Sequence, residues 1–120
     1  MQNYKDLKVW EKAHVFTLQV YEASKSFPRE EIFSLTNQLR RAAASIAANI
    51  AEGCGKNSKP EFAHFLNIAL GSANESEYFI LLAKDLSYLS ESVYQELFSK
   101  INEIKAMLIA LINKVRQVIT

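Results

Sequence analysis

Turn-forming residues are scarce in this chain: it has 3 glycines and 2 prolines in 120 residues. That is too little punctuation for the many turns of a β-sandwich, and the long intervals between these residues favour helices. Cys54 is the only cysteine. This excludes an internal disulfide framework and a cysteine-rich zinc site, and it fits a reducing compartment. Charge of one sign is not in excess either. The net charge is +1, so no global field steers the protein toward nucleic acid or a membrane. No stretch approaches the ~20 apolar residues of a membrane span. The first residues, MQNYKDLKVWEK, carry no apolar signal core. The expectation is a cytoplasmic protein with no membrane association. Hydrophobic residues make up 49% and charged residues 22%, which describes an ordinary globular chain of one domain, residues 1–120.

What the chain does have is alanine in one place. Six of the ten residues from Ala42 to Ala51 are alanine, the strongest helix former. A methyl-surfaced helix also lets a neighbouring backbone come close. Gly53 and Gly55 follow and supply the permissive backbone that ends a helix. Ser58 with Glu61 three residues on fits a capping box, and Pro60 stands in a first helical turn, where its missing N–H costs little. Residues 38–62 therefore predict the end of one helix, a tight turn and the start of the next, with Asn49, Glu52, Gly53 and Gly55 building the hairpin turn.

Periodicity places the remaining helices. Val9, Ala13, Phe16 and Val20 form one stripe in a helix over 7–26, widened by Trp10, Thr17 and Tyr21. A second helix starts near Pro28 with Glu30 and Glu31 in its first turn, where the helix dipole favours negative charge. Its stripe is Ile32, Leu35, Leu39, Ala42, Ile46 and Ile50, and Phe33 with further alanines makes an added flank. The third helix, 59–87, carries two seams. One runs through Phe62, Leu66, Ala69, Ala73, Ser76, Ile80, Ala83 and Ser87, and the other through Phe65, Ile68, Ser72, Glu75, Phe79, Leu82 and Leu86. Two seams imply burial on two sides. Gly71 inside this helix predicts a close backbone approach. Ser90 or Ser92 caps the fourth helix, whose seam is Leu97, Ile101, Ile104, Leu108, Leu111, Val115 and Val118, with Lys114 and Arg116 near its end. Short connections force each helix antiparallel to the last. The predicted fold is all-α, an up-down-up-down antiparallel four-helix bundle.

Signals for catalytic chemistry are weak. Glu11…His14 and Glu61…His64 have the Glu-x-x-His spacing of a di-iron bundle site, but that site also needs a carboxylate from each remaining helix. No acidic residue follows Glu103, and Glu11, Glu61 and His64 lie off the core stripes. No metal, no cofactor and no catalytic residue is expected. Cys54 has no identifiable orienting partner for nucleophilic work. Gly53-Cys54-Gly55-Lys56 follows a helix, whereas a phosphate loop follows a strand.

Arg40-Arg41 admits two roles. With Lys56 and Lys59 it could contact nucleic acid: from Arg40 to Lys59 there are four basic residues against Glu52 alone. Alternatively, a hairpin turning near Lys56 sets Arg40 and Arg41 level with Glu75, a lone charge in an apolar seam, and a partly buried charge needs a partner.

QLRRAAASIAANIAEGCGK and EFAHFLNIALGSANE, with LKVWEKA and VYEASKSFP nearer the start, resemble the family of 23S rRNA intervening-sequence proteins, also called S23 ribosomal proteins. The resemblance covers most of the chain. Arg40-Arg41-Ala42-Ala43, Asn49-Ile50-Ala51-Glu52-Gly53 and Gly71-Ser72 with Glu75 are its most specific parts. Ala47 stands where many members have proline, and Lys56 where arginine is frequent. The resemblance implies a small non-enzymatic helical bundle, assembled as a ring-like pentamer and related to a nucleic-acid-associated accessory protein of diversity-generating retroelements. The expected partners are other copies of the chain, and beyond them RNA or another protein. The two functions in view are an RNA-associated oligomeric bundle and a protein scaffold without nucleic-acid binding.

Overall fold

The computed structural model describes residues 2–119, with side chains through Gln117. Val118, the last member of the expected fourth seam, lies outside the described side chains. Four helices account for most of the chain: α1 Lys8–Ser24, α2 Leu35–Cys54, α3 Lys59–Asp85 and α4 Glu91–Ile119. Among the described residues there is no strand. α1 packs on α2 and α4, and α3 packs on α2 and α4, while the pairs α1–α3 and α2–α4 sit on the diagonals. This is the up-down-up-down bundle expected from the short connections. It measures 47 × 23 × 20 Å.

The stripes meet in one core. Val9, Ala13, Phe16 and Val20 of α1 are buried with Leu39, Ile46 and Ile50 of α2, Leu66, Ala69, Ala73 and Ile80 of α3, and Leu97, Ile101, Ile104 and Leu108 of α4. α4 adds Ile112, a core residue that the expected seam omitted, while Leu111 is only half-buried. The alanines act as expected of small residues. Ala42 and Ala43 are buried, and Thr17 Oγ1 reaches the α2 backbone, 3.1 Å from the Ala43 carbonyl. Between α2 and α3 the contact is partly polar: Ser72 Oγ donates to Ser45 Oγ at 2.9 Å. Between α3 and α4, Lys105 and Glu77 form a half-buried ion pair at 3.1 Å.

Two helix ends differ from expectation, and the cap of α4 is one of the two expected. The second helix does not start near Pro28. A short 3₁₀ turn, Arg29–Glu31, comes first, and α2 begins only at Leu35. The Glu31 carboxylate therefore lies outside α2 and serves the start of that helix from the preceding turn. One oxygen accepts from the Leu35 N–H at 3.3 Å, and the other accepts from the Tyr88 hydroxyl at 2.8 Å. That hydrogen bond raises the Tyr88 pKa, with burial adding to it. Ile32 and Phe33 consequently leave the core stripe and its flank; Phe33 is 92% exposed. α3 ends at Asp85, and Ser87 takes the left-handed conformation at φ 65°, turning the chain into α4. The Tyr88 N–H closes that turn on the Ala83 carbonyl at 2.8 Å. α4 is capped by Ser90, whose Oγ accepts from the Val93 N–H at 3.2 Å.

The glycines also exchange roles. Gly53 lies inside α2 with ordinary helical geometry, and it is the residue of close approach: a Cβ there would meet Phe65 Cβ at 2.9 Å and Phe62 Cδ1 at 3.1 Å. Gly55 needs no special backbone either, at φ −82°. Gly71, where a close approach was expected, has nothing within 4 Å of a built Cβ.

Candidate nucleic-acid interface

The antiparallel order gathers four chain segments at one end of the bundle: the N-terminal residues, the end of α2, the start of α3 and the end of α4. Six basic residues stand there, Lys5, Lys8, Lys56, Lys59, Lys114 and Arg116, against Asp6, Glu52 and Glu61. The opposite end, residues 22–31 and 84–91, carries Lys25, Arg29 and Lys84 against Glu22, Glu30, Glu31, Asp85 and Glu91. The net charge of +1 thus conceals a bundle with one basic and one acidic end. Local charge, not the sum, is what a phosphate backbone meets.

A crevice of about 520 Å³ opens at the basic end. Lys56, Lys59 and Lys114 line it together with Asn57 and Ser58 of the α2–α3 turn and Gln2 near the N-terminus; Leu7, Phe62, Leu111 and Val115 supply apolar surface, with Gly53 and Cys54 beside them. Local chemistry positions each wall. Ser58 Oγ accepts from the Glu61 N–H and donates to the Glu61 carboxylate at 2.9 Å, so the capping box fixes the start of α3. The Gln2 N–H donates to the Cys54 carbonyl at 3.1 Å and pins the N-terminal segment over the end of α2. Lys56 leans on the Phe65 ring, 5.2 Å from its centroid, and stands 3.7 Å from Glu52. Lys59 and Lys114 have no ion-pair partner among the described residues. Cys54 is buried, and that burial pushes its thiol pKa up.

The four residues considered for nucleic acid do not stay together. Lys56 and Lys59 meet at the crevice, but Arg40 lies 16 residues up the chain from Lys56, roughly 24 Å along a helix axis at ~1.5 Å per residue. Arg40 is also not paired with Glu75. Its Nε donates to Ser24 Oγ at 2.8 Å, its Nη2 donates to the Tyr21 carbonyl at 3.3 Å, and its guanidinium lies 4.8 Å from the Tyr21 ring centroid. Arg41 is exposed and lines a hollow with Glu75 and Phe79, and no ion pair joins Arg41 and Glu75. The face-on position of Arg40 toward α1 decides this, since a side chain of α2 that points at α1 cannot reach α3. Of the expected turn residues, Glu52 reaches Lys56, whereas Asn49 turns inward and donates to Ser45 at its carbonyl (2.8 Å) and hydroxyl (2.9 Å). Lys114, Asn57 and Gln2 were not selected by sequence reasoning. Only the meeting of separate helix ends brings them to the site.

The Glu-x-x-His pairs are occupied otherwise. His14 stacks on Trp10 with ring centroids 5.1 Å apart, Glu61 serves the capping box and His64 meets the Phe65 ring edge-on. Among the described residues no three His, Cys, Asp or Glu side chains gather where a metal ion could be held. No described helix is long and apolar enough to cross a membrane.

Fold and crevice define a small all-α protein, a four-helix bundle with a polarised charge distribution. Residues 5–110 match the family model of the 23S rRNA-intervening sequence proteins, and the chain belongs to that family. Among solved structures it is similar to a protein of unknown function from the S23 ribosomal protein family of Bacteroides thetaiotaomicron VPI-5482. The two share 32% identity over 88% of this chain and 95% of the other, with a TM-score of 0.81. No curated protein matches the chain. Neither description names a catalytic activity.

Proposed function

We propose that this protein is a non-enzymatic, homo-oligomeric bundle that holds RNA electrostatically at its basic end. The observation that carries the RNA contact is the meeting of Lys56, Lys59 and Lys114 around one crevice, two of them without an acidic partner. The family's name, which refers to an intervening sequence of 23S rRNA, points the same way. Assembly follows from the apolar surface that a single chain leaves uncovered. On α3, Ile68, Gly71, Glu75 and Tyr78 share one exposed face, and Gly71 at its middle leaves room for a neighbouring backbone. On α1, the diagonal helix, Val15 and Leu18 are exposed. Two different faces on opposite sides of a bundle suit a head-to-tail contact, which gives a ring where the rotation between copies closes; a pentamer is the ring expected of this family. Repetition around the ring would concentrate a weak local charge.

The test is a titration of the protein, its assembly mass fixed by light scattering, with structured RNA at low and at physiological salt. Binding is expected to fall steeply with salt, and the double variant Lys56→Glu/Lys59→Glu to weaken it about tenfold or more, because phosphate contacts release counterions. An RNA affinity indifferent to salt and to both lysines would refute the basic-end contact. A monomer at micromolar concentration would refute the ring. No binding at low salt would leave the protein-scaffold function, which the exposed apolar faces support by themselves.

A further inference from the structure

We propose that the basic-end crevice is a nucleotide site, in which one nucleobase lies against the apolar wall and its phosphate rests on Lys59 and Lys114. This rests on the RNA contact above and adds the unit that is recognised. The crevice combines two kinds of surface that a plain phosphate-binding patch would not need. Leu7, Phe62, Leu111 and Val115 give an apolar wall, and about 520 Å³ is a volume of the ligand-pocket class, ample for one base and its sugar. Beside that wall stand the solvent-exposed side-chain amides of Asn57 and Gln2. An amide offers both a donor and an acceptor, the pattern needed to read the edge of a base that has left its stack. An acyl chain would use the wall and make no use of the amides. Duplex RNA would use the lysines and leave the wall empty. A nucleotide uses all three features.

The walls are also built to persist without the ligand. The capping box holds the start of α3, the Gln2–Cys54 hydrogen bond holds the N-terminal segment, and Gly53 lets α2 sit directly on Phe62 and Phe65. A preformed site loses little freedom on binding. The same chemistry can arrive as a free nucleoside monophosphate or as an unstacked nucleotide of single-stranded RNA.

The experiment follows backbone amide resonances of the full chain while uridine 5′-monophosphate, a short oligouridylate or an RNA duplex is added. Shifts are expected at Gly53, Asn57 and Leu111 with the monophosphate and the oligouridylate. The oligouridylate is expected to bind more tightly than the duplex of equal charge. Leu111→Trp, which fills the crevice, should reduce oligouridylate affinity by about tenfold and duplex affinity far less; Asn57→Ala, at an exposed position, should lower oligouridylate affinity several-fold. Response to the monophosphate but not to the oligouridylate would assign the site to free nucleotides. Equal affinity for oligouridylate and duplex, with both variants silent, would overturn the site while leaving electrostatic RNA binding standing. No binding of any of the three would overturn both. Shifts that follow protein concentration alone and vanish with Phe33→Ser would also overturn it, since the exposed Ile32–Phe33 tip of a second copy would then be the occupant.

Discussion

Gly53→Val is expected to destabilise the bundle by about 3 kcal/mol, the upper part of the range for overpacking a close contact. Gly53→Ala is expected to lose about 1 kcal/mol, because a gain of ~1 kcal/mol in helix propensity only partly offsets the strain. The obstacle at 2.9 Å is the Cβ of Phe65, an atom that cannot rotate away, so α2 and α3 must separate. Gly71→Ala is the opposite case. Nothing lies within 4 Å of a Cβ there, and the change is expected to raise the stability of a single chain by ~1 kcal/mol. Denaturant unfolding of the three variants checks both. A stable Gly53→Val protein would show that the two helices have room that the structure denies.

Arg40→Ala is expected to cost about 2 kcal/mol, from the lost charge-assisted hydrogen bonds and the cation–π contact. Its Nε partner, the Ser24 hydroxyl, is buried and would lose the arginine donor. Glu75→Ala is expected to stay within ~0.5 kcal/mol, as for an exposed residue away from any network. The level of the hairpin alone admits a pair of Glu75 with Arg40 or Arg41, and for an Arg40–Glu75 pair the two losses would be similar. Equal unfolding midpoints for the two variants would therefore argue for the pair and against the arrangement seen here.

Level is legible: antiparallel folding about Lys56 does set Arg41 beside Glu75 in one hollow. Direction is not legible at this precision. Arg40 and Arg41 differ by one helical step of about 100°, and that step sends Arg40 to Tyr21 and Ser24 of α1. Gly53 and Gly71 teach the same lesson. Both interrupt a helix in sequence, but only a neighbour's position tells which one a Cβ would strain. The start of α2 escaped for another reason: Glu30-Glu31 is a good first helical turn, and it is the Tyr88 hydroxyl, 57 residues away, that engages Glu31.

The sequence by itself determined the helices, their antiparallel order and nearly all of the core, because helical burial is periodic and periodicity survives in a string of residues. It also determined the family, through motifs spread over most of the chain. Tertiary structure alone decided that Lys114 closes on Lys56 and Lys59 around a crevice, and that Arg40 belongs to α1. Those properties depend on how closely the helix termini approach at their shared end and which way each side chain points. Both are distances in space between residues remote in the chain, and no local pattern encodes them.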